Sequence, residues 1–236
     1  MIIIKNLSKS YGNKQVLKSV DLKISDGDIY AFVGSNGAGK TTTIKCMLGI
    51  LPFDSGDVLY DGTSIKEEPL KIKQDIAYIP DNPDIYEHLT GYEYLSFIAD
   101  MYETDAKTKN DNIKKYAKLL EIDTKLNDRI GSYSHGMRQK IVIIAALIHN
   151  PKVIIMDEPF VGLDPLSTHT LKEIMKELTK DGKIIFFSTH VLDVAEKLCN
   201  KIAIIKNGKI LTEGTMKEVT KNSSLEDIFL ELVSHE

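Results

Sequence analysis

The sequence has little of several features that would mark a protein for a special environment. Its 236 residues include two cysteines, Cys46 and Cys199, which are far apart and belong to no CxxC pattern. This spacing predicts neither a metal site nor a disulfide framework and suits a reducing cytosol. The longest apolar runs, such as residues 141–148, are far shorter than the ~20 residues that cross a bilayer, and the N-terminus lacks a signal-peptide pattern.

Long blocks of one charge are also missing. The net charge is -4, with 27% charged and 42% hydrophobic residues, a composition typical of an ordered globular protein. The lysines between residues 107 and 118 indicate the solvated face of a helix rather than a nucleic-acid surface. We therefore predict one compact unit with no nucleic-acid partner and, since no internal repeat or low-complexity tract is found, no repeat architecture.

The first fifty residues predict strands followed by a helix. Short apolar runs at 1–4 and 16–24 alternate with turn signals at Gly12-Asn13 and at residues 26–28, a pattern that indicates antiparallel strands. Residues 29–33 are a continuous apolar run, as in a strand that is buried on both faces, and a helix is predicted from Gly39 to Leu48.

The rest of the chain predicts alternating strands and helices. Thr90 and Glu93 form a capping-box pattern, so a helix is expected to start there, and a second apolar stripe at helical spacing begins at Ile113. We predict that these helices belong to a subdomain inserted at about 82–132. Beyond it, strands are expected at 153–156, 184–187 and 202–205, and helices at 166–178 and 191–198. A hairpin turn at Asn207-Gly208 is expected to pair the last strands. This rhythm predicts a mostly parallel sheet.

A glycine-rich loop lies between the predicted buried strand and the helix that follows. Its residues match every fixed position of the phosphate-binding loop GxxxxGK[ST]: Gly34, Ser35, Asn36, Gly37, Ala38, Gly39, Lys40 and Thr41. Glycine lets the backbone N–H groups approach an anion closely, lysine reaches the β- and γ-phosphates, and the threonine hydroxyl binds Mg²⁺. The loop therefore predicts a site for ATP and Mg²⁺, with Thr42 as a further nucleotide contact.

Two carboxylates end the predicted strand at 153–156. Asp157 and Glu158 follow it directly, and the carboxyl ends of parallel strands are where such sheets bind ligands. We expect Asp157 to hold Mg²⁺ through a water molecule and Glu158 to orient or deprotonate the attacking water. A strand followed by Asp-Glu-Pro is otherwise only a polar strand exit, and the upstream glycine loop favours the catalytic interpretation.

With these motifs in place, the whole chain resembles the ATP-binding subunit of an ATP-binding cassette (ABC) transporter. Tyr133-Ser134-His135-Gly136-Met137 is similar to the family's signature sequence, residues 160–164 to its D-loop, and Phe187-Ser188-Thr189-His190 to its switch histidine. Tyr11 stands where the family stacks an aromatic ring on adenine. Each motif also has a purely structural interpretation: Ser134 as a helix N-cap, Tyr11 as a surface aromatic, His190 as a satisfied strand-end histidine.

The resemblance implies an α/β fold of the P-loop NTPase (RecA-like) type, with a mostly parallel sheet, an N-terminal antiparallel β subdomain and the inserted helical subdomain, all within one cassette over residues 1–236. It implies an ATPase in which Lys40, Glu158 and His190 act in catalysis. Ser134 and Gly136 would contact the nucleotide of a second subunit, which implies a head-to-tail homodimer or heterodimer. The subunit would lie in the cytoplasm, on the inner face of the membrane, beside a polytopic permease on a separate chain.

Two segments depart from the family pattern. The usual Leu-Ser-Gly-Gly-Gln signature has Tyr133, His135 and Met137 in place of its leucine, first glycine and glutamine. Asp81 replaces the usual Q-loop glutamine; it is expected either to reach the magnesium shell or to form an ordinary Pro-Asp turn.

The segment 89–95 resembles drug, antibiotic or bacteriocin export ATPases more than importers. Tyr86, Leu89, Tyr92 and Phe97 could contact the permease, although Leu95 and Phe97 are expected in the subdomain core. A soluble cassette ATPase of the iron–sulfur assembly type is the alternative, and the presence of both Lys40 and Glu158 speaks against a non-catalytic nucleotide sensor.

Overall fold

A computed structural model describes residues 1–82, 85–221 and 223–234, without the side chains of 233 and 234. The strands are β1 (Ile2–Tyr11), β2 (Lys14–Ile24), β3 (Ile29–Val33), β4 (Ser55–Tyr60), β5 (Thr63–Ser64), β6 (Ile76–Ile79), β7 (Val153–Asp157), β8 (Ile184–Thr189), β9 (Lys201–Lys206) and β10 (Lys209–Thr215). The helices are α1 (Lys40–Met47), α2 (Pro69–Gln74), α3 (Gly91–Met101), α4 (Ala106–Leu119), α5 (His135–Ile148), α6 (Pro165–Lys180), α7 (Leu192–Leu198), α8 (Met216–Thr220) and α9 (Leu225–Ser234). Short 3-10 turns occupy Asp123–Lys125 and Ile130–Ser132.

The larger sheet has the order β10-β9-β3-β8-β7-β6. Strands β9, β3, β8, β7 and β6 run parallel, and β10 pairs antiparallel with β9 at the edge. β3 lies inside this sheet and all five of its residues are buried. The mostly parallel sheet predicted from the βα rhythm is confirmed, and its parallel strands bring their carboxyl ends to one edge.

A second sheet is antiparallel, with the order β2-β1-β4-β5. β1 and β2 form the predicted N-terminal hairpin, but β1 extends to Tyr11, well beyond the four residues expected from sequence. Its pairing with β2 shifts register three times, and this irregularity blurs the alternation of apolar and polar residues that predicts a strand. The α/β class with an antiparallel N-terminal sheet is confirmed.

The central strand divides the hydrophobic core in two. Ile29, Ala31 and Val33 pack on one side with the helices. Tyr30 and Phe32 pack on the other side, with the antiparallel sheet and α1. Because successive side chains of a strand point to opposite faces, one short segment stabilises both layers, and the loop that leaves it at Gly34 is held between them.

The helical region begins where the sequence predicts it. The Thr90 Oγ1 atom accepts a hydrogen bond from the Glu93 N–H at 3.2 Å, and the Glu93 carboxylate accepts one from the Thr90 N–H at 2.8 Å. α3 and α4 lie within the predicted insert of about 82–132, although residues 83 and 84 lie outside the described residues, as do 222, 235 and 236 of the proposed cassette. The insert boundaries stay a prediction.

One core assignment in this region is wrong. Leu95 is fully buried as expected, whereas Phe97 is 43% exposed. Phe97 is two residues along the same helix, and positions i and i+2 do not share a helix face. Its ring instead meets the exposed Tyr86 ring, edge to face, at a centroid distance of 5.9 Å. Within the described residues, no helix is both long and apolar enough to cross a membrane.

His149, which caps the C-terminal end of α5, gives the fold a measurable pH response. Its ring stacks on Tyr102 at 3.7 Å, and both ring nitrogens are buried. Burial lowers the pKa of His149 to about 4; the Ile76 backbone opposes this shift, Lys183 adds to it and Asp75 opposes it. In the unfolded chain the histidine pKa is ~6.5. Between about pH 6.5 and 4, His149 therefore binds a proton in the unfolded chain but stays neutral in the folded chain.

We expect the folded state to lose stability as the pH falls through this window, by at most about 1.4 kcal/mol per pH unit from this group. His149→Phe keeps an aromatic ring on Tyr102 and removes the titration, so its free energy of unfolding should fall less between pH 6.5 and 4. Urea unfolding across this range measures the difference. His169→Asn, at an exposed position of α6, is the control and should follow the parent. Identical pH dependence of His149→Phe and the parent would contradict the assignment.

Candidate nucleotide-binding site

The loop between β3 and α1 adopts a conformation that requires its glycines. Gly37 and Gly39 have φ of +80° and +114°, in the region that residues with a Cβ rarely adopt. At Gly34, a Cβ would lie 2.6 Å from the Ile205 carbonyl oxygen. The loop can therefore fold back closely on β9 and start α1 at Lys40, as an anion-binding loop must.

Lys40 is held inside this loop rather than in solvent. Its side chain is 7% exposed, and Nζ donates a hydrogen bond to the Gly34 carbonyl at 2.7 Å. Nζ also lies 3.4 Å from Glu158 Oε1. A nearly buried ammonium group with a carbonyl and one carboxylate as neighbours is well placed to exchange its carboxylate contact for a phosphate.

Asp157 ends β7 and is 2% exposed. Its Oδ2 atom accepts a hydrogen bond from the Thr41 hydroxyl at 2.6 Å, and its Oδ1 atom accepts one from the Ser188 hydroxyl. The carboxylate is thus fixed at both oxygens, next to the first turn of α1. Because each hydroxyl uses its proton on Asp157, the Thr41 oxygen keeps lone pairs for a cation.

Glu158, the next residue, has a left-handed backbone with φ of +49°. This conformation is costly for a residue with a side chain. The Glu158 Oε2 atom lies 3.0 Å from His190 Nδ1 and accepts the His190 N–H at 3.3 Å. Lys40 and His190 therefore face the same carboxylate from two sides.

One cavity of about 330 Å³ unites most of the predicted residues. Those that line it are Tyr11, Ser35, Asn36, Gly37, Gly39, Lys40, Thr41, Thr42, Asp81, Asp157 and Glu158. Gly34 and the buried Ala38 support the loop from behind, and His190 takes part through Glu158. Ser134 and Gly136 are not among the lining residues.

Three residues of the site received no role from sequence. Lys14 and Val16 line the cavity from β2. The one sequence signal that could have indicated them is the turn at Gly12-Asn13, which brings β2 back beside Tyr11. Ser188 lies in the segment that resembles the histidine switch, but its function becomes visible only through strand pairing, since β7 and β8 place it opposite Asp157.

Asp81 lies at the cavity wall, just after β6. Partial burial, and then the negative charges of Asp157 and Glu158, raise the pKa of Asp81, while His190 and His135 oppose the shift. The Thr41 hydroxyl and the Asp157 carboxylate, with Asp81 and Glu158 along the same cavity wall, are hard oxygen donors of the type that Mg²⁺ prefers. In the part of the chain described, no three acidic, histidine or cysteine side chains form a complete metal cage. Mg²⁺ commonly completes its shell with water and substrate phosphates, so the residues fit this ion.

The signature segment forms the start of α5, and its Ser134 and Gly136 do not line the cavity. Ser134 is exposed, and its Oγ atom accepts a hydrogen bond from the Met137 N–H at 3.3 Å. The first turn packs on residues 160–164: a Cβ on Gly162 would lie 2.4 Å from the His135 ring, and one on Gly136 would lie 3.0 Å from the Gly162 carbonyl oxygen. Ser134 is therefore the N-cap of α5, as the structural interpretation of this motif predicts. The N-terminus of the helix is open, so it is available to an anion from another molecule.

Tyr11 is the last residue of β1 and is 50% exposed. The Lys9 ammonium group lies 5.4 Å from the centroid of its ring. A cation on one face leaves the other face of the ring for an aromatic base. The position of Tyr11 at the cavity wall thus suits adenine.

A strand, glycine loop and helix whose lysine and carboxylates surround one cavity define a P-loop nucleoside triphosphate-binding protein. Residues 17–161 match the family described as ABC transporter. The chain belongs to this family, as an ATP-binding subunit and an ATPase.

Individual proteins show the same relationship. The linearmycin resistance ATP-binding protein LnrL of Bacillus subtilis (strain 168) is 36% identical over 222 residues, 93% of this chain and 70% of LnrL. A solved ATP-binding subunit of an ABC transporter is 33% identical, covers 99% of both chains and has a TM-score of 0.95. A dimeric cassette in a post-hydrolysis state, bound to ADP and Pi, is 25% identical, covers 92% of this chain and 99% of its own, and has a TM-score of 0.84.

Proposed function

We propose that this subunit hydrolyses ATP with Mg²⁺ to drive export through a polytopic permease on a separate chain. The observation that carries the proposal is the cavity in which Lys40, Thr41, Asp157 and Glu158 face one another. The name of LnrL, a resistance protein, supports export as the direction, as does the exporter-like segment 89–95.

The arrangement of side chains supports a role for each residue. The loop N–H groups and Lys40 bind the β- and γ-phosphates. Thr41 and Asp157, with Asp81 at the rim, would hold Mg²⁺, which would supply positive charge beside the phosphates. Glu158 accepts the proton of the attacking water, and His190, 3.0 Å from it, orients that carboxylate.

Head-to-tail dimerisation accounts for the placement of the signature segment. Ser134 and Gly136 do not line the cavity of their own chain, which supports a contact with nucleotide bound by another subunit. In that arrangement Tyr11 and the loop hold ATP on one side, and the N-terminus of α5 meets its γ-phosphate from the other. A similar cassette bound to ADP and Pi was solved as a dimer, which supports an assembly of two subunits.

A permease would dock where the exposed rings of Tyr86 and Phe97 meet edge to face, with Tyr92 as a further exposed ring of α3. These rings are 53%, 43% and 42% exposed, and the segment that carries Tyr86 follows Asp81. An amphipathic helix of a membrane subunit suits such a surface. The chain, a single cassette over residues 1–236 with its helical insert, would then work in the cytoplasm against the inner face of the membrane.

Co-purification from membranes tests this assignment. We expect the tagged chain to sediment with the membrane fraction together with a polytopic protein identified by mass spectrometry. Tyr86→Asp/Phe97→Asp should move most of the protein to the soluble fraction while ATPase activity persists. Leu119→Asp is the matched control, since Leu119 is 42% exposed at the end of α4, and should stay with the membrane. Recovery of the parent with a cytosolic protein alone, as an iron–sulfur assembly ATPase would give, contradicts the proposal.

A further inference from the structure

Ser188 is fully buried in β8, and both functions of its hydroxyl are in use. The Oγ–H donates a hydrogen bond to Asp157 Oδ1, and the same oxygen accepts one from the Glu158 N–H at 3.1 Å. The register of β7 and β8, which pairs Asp157 with Ser188, places these groups side by side. One side chain therefore touches both acidic residues of the site.

The contact with Asp157 determines where that carboxylate points. Asp157 is 2% exposed, so solvent cannot orient it, and a buried charge needs hydrogen-bond partners. With Oδ1 taken by Ser188, Oδ2 is directed at Thr41, 2.6 Å away. Without the Ser188 hydroxyl, the Thr41 hydroxyl would have to orient the carboxylate without this second donor, and Oδ1 would be a buried acceptor that has lost its Ser188 partner.

The contact with Glu158 supports an unfavourable backbone. Glu158 has φ of +49°, and its N–H is shared between the Ser188 hydroxyl and the Ser188 carbonyl, at 3.1 and 3.2 Å. This turn of the chain directs the Glu158 side chain between Lys40 and His190. A residue that holds both the metal-facing and the water-facing carboxylate couples their positions.

We propose that Ser188 is a positioning residue of the ATPase site, which orients Asp157 toward Mg²⁺ and fixes the backbone of Glu158. The inference rests on the proposed roles of these two carboxylates. Ser188 itself touches neither nucleotide nor metal and acts through its neighbours. Its removal should weaken metal binding and slow turnover, but leave the binding of nucleotide without metal unchanged.

Metal and nucleotide affinities, measured separately, test this role. Mn²⁺, followed by electron paramagnetic resonance in the presence of the non-hydrolysable analogue AMP-PNP, reports the metal site. Since a hydrogen bond to a charged group is lost, Ser188→Ala should bind Mn²⁺ about tenfold more weakly. AMP-PNP affinity in EDTA should stay within about twofold of the parent, because the loop and Lys40 are untouched.

The chain offers a closely matched control in Ser64. This buried serine also donates to an aspartate, Asp57, at 2.7 Å and accepts a backbone N–H, that of Lys66 at 3.2 Å, but in the antiparallel sheet. Ser64→Ala should leave both affinities unchanged. Ser188→Thr, which keeps the hydroxyl, should recover most of the Mn²⁺ affinity, and if Ser188→Ala does not fold, Ser188→Cys is judged by the same two measurements.

Parental Mn²⁺ affinity in the hydroxyl-free variant overturns the proposal. So does an equal loss of AMP-PNP affinity in EDTA, since that result means a general distortion of the site. The parent is assayed for ATP hydrolysis in parallel: a parent that binds Mn²⁺ and AMP-PNP without hydrolysing ATP refutes the proposed function, and the Mn²⁺ comparison still decides the role of Ser188.

Discussion

Glu158→Gln should reduce ATP turnover on the order of 10²–10⁴-fold, because it removes the base that accepts the proton of the attacking water. The side chain keeps its size and its hydrogen-bonding reach to His190, 3.0 Å away. It also loses the negative charge beside Lys40, so ATP should bind at least as well as in the parent. Phosphate release under saturating Mg-ATP measures the loss of turnover.

The same variant should form a lasting dimer. ATP that is not hydrolysed stays between Lys40 of one subunit and Ser134 of the other, so its binding energy continues to hold the two chains together. Gel filtration should show a dimer with Mg-ATP and a monomer without it, while the parent stays mainly monomeric.

Glu121→Gln serves as the control for Glu158→Gln. Glu121 is exposed and, like Glu158, has a left-handed backbone, with φ of +54°. This variant should hydrolyse ATP and migrate as the parent does. Parental turnover by Glu158→Gln would mean that Glu158 is not the base, and an inactive variant that stays monomeric with ATP would speak against the head-to-tail dimer alone.

Mixing two inactive chains should restore activity if each site needs residues from both subunits. Lys40→Ala removes the ammonium group from the phosphate loop, and Ser134→Arg places a bulky side chain at the N-terminus of α5. In a mixed dimer, one of the two sites has Lys40 from one chain and Ser134 from the other. Random pairing of equal amounts should therefore give about a quarter of the parental sites. Steady-state ATPase activity of each chain and of the mixture is the measurement.

A nearby lysine provides the comparison for the mixing experiment. Lys45→Ala, at an exposed position of the same helix α1, should keep parental activity on its own. If the mixture stays inactive although heterodimers are demonstrated by cross-linking, each site is self-contained and the assignment of Ser134 to the neighbouring subunit's nucleotide is wrong.

Local chemistry made the phosphate loop and β3 predictable. Gly37 and Gly39 are needed for their own φ values, and a run of five apolar residues identifies a buried strand. Elements whose signal depends on partners were not predicted, among them β4 (Ser55–Tyr60), α2 (Pro69–Gln74) and α9 (Leu225–Ser234). β4 is a clear case, because its half-buried residues become a strand through pairing with β1.

Long-range placement explains what sequence could not show about the site. Asp157 and Glu158 could be identified because they follow a strand, but Ser188 gains its role only through the parallel register of β7 and β8. In the same way, periodicity does not tell which face of α3 is covered, and so Phe97 was assigned to the core although its ring is exposed. Pairing and packing between distant segments decided each of these outcomes.

The contact between His135 and Gly162 links two positions that are far apart in the chain. Gly162 has φ of +81°, and a Cβ there would lie 2.4 Å from the imidazole. Where the family's usual signature has glycine at position 135, no ring occupies this space. A side chain at position 162 is therefore disfavoured in two ways: the backbone at this φ rarely accepts a Cβ, and the exposed His135 ring would have to move aside.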